Sequence, residues 1–257
     1  MAGIAAATPV RAGSRSEARL GFRKGTRTMR RNLERRVFLR SGIILAGAAL
    51  AGGISLGAEK ENDEEVSPPE DLMREHGVLK RVLLIYAEAL RRIDAKQDFP
   101  PDALADAAKI IRSFIEDYHE KLEEDFLFPR FEKANQLVDL VKVLRDQHQA
   151  GRRVTDVTMR FANSGSLKNE SERAQLVSSI QQFIRMYNPH EAREDTLLFP
   201  AFRKIVSPHE FDSLGEEFEK KENELFGEDG FEKMVDKVAS IEKRFGIYDL
   251  AQFTPKI

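Results

Sequence analysis

From residue 68 onward, apolar side chains recur three and four positions apart, the period of a helix with one buried face. A first stripe runs Leu72, His76, Leu79, Leu83, Tyr86 and Leu90. Ser67-Pro68-Pro69-Glu70 opens it as a capping box with proline at the first helical position, and residues 96–101 end it. The second stripe, over about 101–134, holds Leu104, Ala108, Ile111, Ile115, His119, Leu122 and Phe126, and Pro129 predicts a kink near its end. A third helix over about 136–161 carries Leu137, Leu140, Leu144, His148 and Gly151, and a polar Gly/Ser turn follows over 163–169. The fourth reaches about residue 205 with Leu176, Ile180, Phe183, Tyr187, His190, Glu194 and Leu197, and Pro189 and Pro200 predict a bend.

Short connections between four such helices predict an all-α fold, an up-down-up-down four-helix bundle over 67–206. Residues 207–257 add C-terminal helices. The first opens on a second capping box, Ser207-Pro208-His209-Glu210, and carries Phe211, Leu214, Phe218 and Leu225. The next follows Gly230 with Phe231, Met234, Val238 and Ile241. These pieces form a lid on the bundle or the surface of a homodimer.

The stripes contain histidines where leucine would serve. HEKLEEDFLFPRFEK, from His119 to Lys133, returns as HEAREDTLLFPAFRK from His190 to Lys204, with eight of 15 positions identical. His76 lies 43 residues before His119, and His148 lies 42 before His190. The chain therefore reads as one half-site written twice, each half supplying two histidines and one carboxylate, Glu123 or Glu194.

In HxxxE the imidazole and carboxylate share one helix face, a turn apart, which suits two ligands reaching a common centre. Buried glutamates without partners cost several kcal/mol each, and a pair of divalent cations removes that cost. Nitrogen and oxygen donors without sulfur fit iron or manganese, and zinc less specifically. Six donors over two metals leave open positions, and two glutamates neutralise half the charge, so an oxo, hydroxo or water bridge is expected. Glu120, Glu191, Glu124 and Asp195 adjoin the ligand positions but rotate off their face, towards solvent or a supporting role; a bend at Pro189 would turn Asp195 inward. Tyr187, a turn before His190, either hydrogen-bonds a bound ligand or packs with its hydroxyl satisfied. Phe128, Phe199, Phe131 and Phe202 read as packing, Gly77 and Gly151 as room beside the metals or close helix contact, and His209 as part of a helix cap.

Charge divides the chain unevenly. Residues 1–58 carry 11 Lys/Arg against Glu17 and Glu34, a net of +9, whereas the remainder sums to −11. An acidic domain is a poor nucleic-acid binder, and the absence of cysteine excludes disulfides and thiolate metal sites. Glu-Arg35-Arg36-Val-Phe-Leu-Arg followed by a glycine-rich apolar run resembles a twin-arginine export signal, which implies the twin-arginine translocase as partner. The expected location is periplasmic, or membrane-anchored if the signal is retained, with cleavage after Ala51 or Ala58. Met29 is a more economical start for such a signal.

At the repeated blocks, over about 68–205, the chain resembles the hemerythrin family, specifically its HHE cation-binding group. The resemblance implies a non-haem di-iron centre held by His76, His119, His148 and His190 and bridged by Glu123 and Glu194. The oxygen-carrying hemerythrins have a second histidine on the third helix where this chain has Arg152, which becomes a candidate for supporting the ligands, as do Tyr187 and Asp195. They also place an aspartate five residues after the last histidine, whereas Glu194 follows after four. The four-histidine, two-glutamate set is closer to bacterial proteins implicated in repairing iron-sulfur centres under nitrosative or oxidative stress, a cytoplasmic task at odds with export. Its two similarly ligated irons favour chemistry with oxygen, nitric oxide or peroxide, supported by an unidentified electron donor. The alternatives are an iron store or donor for stress response or repair, and a metal-free helical interaction module.

Overall fold

The computed structural model describes residues 66–256, and the export motif at Arg35 and Arg36 lies outside them. Helix α1 (Pro68–Asp94) starts on proline with Glu70 and Asp71 in its first turn. The side chain of Ser67 makes no capping bond, so the expected box is absent there. At the other box Ser207 does accept from the Glu210 N–H, at 3.2 Å.

Helix α2 is continuous but changes its hydrogen bonding along the way. It is α-helical over Pro101–Ile110, π-helical over Ile111–His119, α over Glu120–Leu122, π again over Glu123–Leu127, and α over Phe128–Ala134. Asn135 and Leu137 then take left-handed conformations, both at φ 51°. Helix α3 (Val138–Phe161) consequently begins two residues later than its stripe suggests, and Leu137 is exposed instead of buried. Where a turn was expected, Ser164–Lys168 forms a short helix, α4, capped by Asn163. Helix α5 comprises Glu170–Arg193, a π turn over Glu194–Leu198, and Phe199–Phe202, and it runs through Pro189 without interruption. Helices α6 (Pro208–Phe226) and α7 (Gly230–Phe245) follow, then a 3₁₀ turn, Leu250–Phe253. There is no strand among the described residues, and no described helix is long and apolar enough to cross a membrane.

Helices α1, α2, α3 and α5 pack in a closed ring, each against the next, while α6 and α7 lie on the α1–α2 side. The lining is aliphatic and aromatic: Leu72, Ile85, Leu104, Ile111, Phe114, Leu176, Ile180 and Phe183 are buried.

The two prolines of the repeat set the local geometry. Proline lacks an N–H, and its ring crowds the carbonyl four residues back. Ahead of Pro129 the Phe128 N–H bonds to the Glu123 carbonyl, and ahead of Pro200 the Phe199 N–H bonds to that of Glu194. Both span five residues, widening the turn in the same place in each copy. The widened turn shifts the apolar phase by one position. Leu198, at 0% exposure, replaces the expected Leu197, which is 50% exposed, just as Leu127 is more deeply buried than Phe126.

Candidate metal centre

His76 and His148 sit in the first half of α1 and α3, His119 just past the middle of α2 and His190 towards the end of the main run of α5, so alternating helix directions bring all four to one level. All four are buried, at 4% exposure or less, and Glu123 and Glu194 are at 0%. The rings form two pairs: His76–His119 with centroids 4.7 Å apart, and His148–His190 at 5.0 Å. Each glutamate reaches both pairs. Glu194 lies 3.4 Å from His76 Nε2 and 3.1 Å from His190 Nε2, and Glu123 lies 3.8 Å from His119 Nε2 and 3.4 Å from His148 Nε2.

Every Nδ1 faces outward onto an acceptor. His76 meets Asp195 at 2.7 Å, His119 meets Glu75 at 2.7 Å, His148 meets Glu124 at 3.1 Å, and His190 meets the Gln147 amide oxygen at 2.8 Å. Carboxylate and amide oxygens accept, so Nδ1 carries a proton and each ring, in its neutral form, presents an Nε2 lone pair to the interior. His148 Nε2 and His190 Nε2 are 3.3 Å apart. Two lone pairs at that separation repel unless a cation or proton lies between them. Neither oxygen of Glu123 or of Glu194 receives a hydrogen bond. Buried orphan acceptors facing buried lone pairs fit a cation pair: Glu123, His148, His190 and Glu194 could hold one metal, and His76, His119 and Glu123 another.

The ionisation states agree. Burial, then the facing Glu194, pushes Glu123 well above the usual carboxylate range. Burial acts the same way on Glu194, but His190 and then His76 outweigh it and hold that carboxyl well below. Burial opposes charging His76, yet Asp195 and Glu194 raise it to about 9. Burial lowers His148 to about 4, against the pull of Glu124, and lowers His119 as well. In the metal-free protein, protons on Glu123 and His76 thus stand in for cations.

Support for the six residues obeys the same two-fold logic. The residue before the first histidine of each half, Glu75 or Gln147, orients the second histidine of that half. The residue after each glutamate, Glu124 or Asp195, orients the first histidine of the other half. Phe128 stacks on His148 and Phe199 on His76, both at 5.5 Å. Arg152, a turn after His148, pairs with Glu120 and Glu124 at 2.8 Å each, and Lys80, a turn after His76, pairs with Glu191. Glu120 and Glu191 are therefore buried partners of cations, not solvated acids. Tyr187 donates to Glu120 at 2.5 Å, so its hydroxyl is satisfied within the protein. A Cβ at Gly151 would overlap that hydroxyl, whereas one at Gly77 would meet nothing, so only Gly151 is explained by close approach. His209 is exposed.

The profile of the Hemerythrin HHE cation binding domain matches residues 67–202. The chain belongs to the hemerythrin HHE family. Membership implies a bound metal cation, typically iron, and the buried His/Glu groups are compatible with one. A protein of Mycobacterium bovis and two from strains of Mycobacterium tuberculosis, all named as uncharacterized proteins, are each 52% identical to this chain over 195 residues, 76% of this chain and 76% of the relative. No solved structure matches it.

Within this hemerythrin-like site, sequence reasoning missed Glu75 and Gln147. The signal was present: both immediately precede the first histidine of their half, just outside the compared block.

Proposed function

We propose that this hemerythrin-like protein carries a non-haem di-iron centre and binds or reacts with oxygen, nitric oxide or a peroxide in the cell envelope. The observation that carries the reading is the set of four inward Nε2 atoms around two glutamates whose oxygens have no hydrogen-bond partner. Nitrogen and oxygen donors without sulfur suit iron, which supplies redox and Lewis-acid chemistry when bound. His76 and His119 would hold one iron and His148 and His190 the other, with Glu123 and Glu194 shared between them. Six donors over two ions leave positions for a small exogenous molecule. Asp195, Glu75, Glu124 and Gln147 fix the imidazole tautomers, while Phe128 and Phe199 shield two of the rings from water. Tyr187 donates to Glu120, so it acts on the centre by holding that carboxylate.

The reading is tested by metal analysis and the optical spectrum of the mature protein, reduced and then exposed to air or nitric oxide. An iron pair per chain whose spectrum changes with the added gas supports it. Labile iron that does not respond points to the storage or donor alternative, and protein without a transition metal points to a structural module. Export is tested separately by replacing Arg35 and Arg36 with lysine, which should retain the protein in the cytoplasm.

A further inference from the structure

One end of the bundle, away from the His/Glu centre, carries a cleft of about 570 Å³ between the α1–α2 connection and the α4–α5 corner. Ile93, in its wall, lies 17 residues beyond His76 on α1, about 25 Å along the helix axis. The apolar part of the wall is Ile93, Phe99 and Leu167, all half-buried, and Phe99 is fixed by stacking on Phe245 at 5.7 Å. A volume of this order suits a small organic molecule.

Charge around the cleft is the reverse of charge elsewhere. Residues 59–257 sum to −11, yet Arg92, Lys96, Lys168 and Arg173 line the cleft against a single carboxylate, Asp98. Arg92 is held by Glu88 at 2.6 Å and by the Phe245 carbonyl at 2.5 Å. The other three form no ion pair among the described residues, and the Lys96 and Lys168 ammonium groups make no hydrogen bond there either. Two of the cations sit where backbone preference opposes them. Lys96 ends α1 in the left-handed conformation, at φ 55°, with its own N–H on the Ile93 carbonyl and the next N–H on that of Arg92. Glycine is the residue this position favours, and lysine there costs stability. Arg173 stands in the first turn of α5, the positive end of the helix dipole. Its guanidinium turns back to the Leu167 carbonyl, at 2.9 Å, in the wall of the cleft. A lysine in place of the favoured glycine and an arginine at the disfavoured end of a helix deliver positive charge to the same space.

We propose that this cleft binds a small organic anion, its apolar body seated on Ile93, Phe99 and Leu167 and its carboxylate or phosphate group held by Lys96, Lys168 and Arg173. The three cations come from separate segments, so the bound anion ties the α1–α2 connection to α4 and α5. Binding therefore fastens that end of the bundle. The site stands whether or not iron fills the centre.

The test is fluorescence titration of anilinonaphthalene sulfonate, an aromatic anion, into the mature metal-loaded protein, with decanoate and phenyl phosphate as competitors. One saturable site is expected, with amide shifts centred on Ile93, Phe99 and Leu167. Displacement by decanoate alone assigns a carboxylate ligand, by phenyl phosphate alone a phosphate, and by both a site that takes either. The uncharged phenylnaphthylamine should bind more weakly than the sulfonate. Lys96→Gly combined with Lys168→Gln removes two charges that hold nothing in the fold, so probe affinity should fall about fivefold. Tm should hold or rise in the same variant, because glycine relieves the left-handed position. The proposal is overturned by no saturable binding, by shifts centred elsewhere, by displacement with neither competitor, by equal affinity for the uncharged analogue, or by unchanged affinity in the double variant.

Discussion

Glu123→Gln should change stability in opposite directions with and without metal. In the metal-free protein Glu123 is fully buried, neither oxygen is hydrogen-bonded, and its carboxyl faces that of Glu194. An amide of the same shape is uncharged at every pH and can donate to Glu194 without the proton that the carboxyl must first take up. Relieving a buried unsatisfied group is worth about 1–3 kcal/mol, which for a domain of this size raises Tm by roughly 2–12 °C. The sign with pH follows from the raised carboxyl. Above its unfolded pKa near 4.5, folding must take up a proton, so the wild-type penalty grows as pH rises from there and vanishes below it. Variant and wild type should therefore converge at acid pH and separate at neutral pH. With metal the order inverts, since the variant loses the one residue that reaches both histidine pairs through a single oxygen, Oε2. Thermal melts of chelated and iron-loaded protein, with iron analysis of both, provide the assay. Unchanged iron content, or a metal-free variant less stable than wild type at neutral pH, would refute the reasoning.

Replacing an orienting carboxylate, Glu124→Ala or Asp195→Ala, should lower metal affinity about 10–100-fold while the helices remain folded, measured by competition with a chelator. Gly151→Ala forces the Tyr187 hydroxyl off Glu120 and should cost about 1–3 kcal/mol in chemical denaturation. His76, raised from 6.5 to about 9, gives the metal-free protein stability that is complete below pH 6.5 and lost as pH rises through 9, about 3 kcal/mol in all. Metal affinity should rise over the same interval, because loading must displace that proton; proton release during titration in buffers of different ionisation enthalpy checks it.

The bundle and its six central residues were legible because both follow from the helical period and a repeat. Leu72, Leu79, Leu104, Ile111, Leu176 and Ile180 lie on the core face the stripes assign them. Phase fails where hydrogen bonding changes: an α-helical count points Leu197 inward, and the π turn before Pro200 delivers Leu198 instead. The assignment of each partner to its histidine was hidden for another reason, and for Glu75 and Gln147 so was the partnership itself. Adjacent residues project about 100° apart around a helix, so Glu75, Glu124, Gln147 and Asp195 look misdirected on their own helical wheels. Each serves an imidazole on a different helix, and a wheel drawn for one helix contains no neighbour. Likewise Lys80 shows nothing in the sequence to set it apart from a surface charge, whereas Arg152 stands out by its place a turn after His148; the structure buries Glu191 and Glu120 against them.

The crossed support has a consequence for ancestry and for dissection. Reciprocal contacts, in which one half gives the other what it receives, are those of a symmetric dimer about a two-fold axis. A chain severed at Asn135–Gln136 would leave each fragment able to orient its own second histidine, through Glu75 or Gln147, but not its first. Such fragments are expected to recombine as a complemented pair. Within one polypeptide the halves are free to differ, one carrying arginine and the other lysine at the same rung, and neither is self-sufficient.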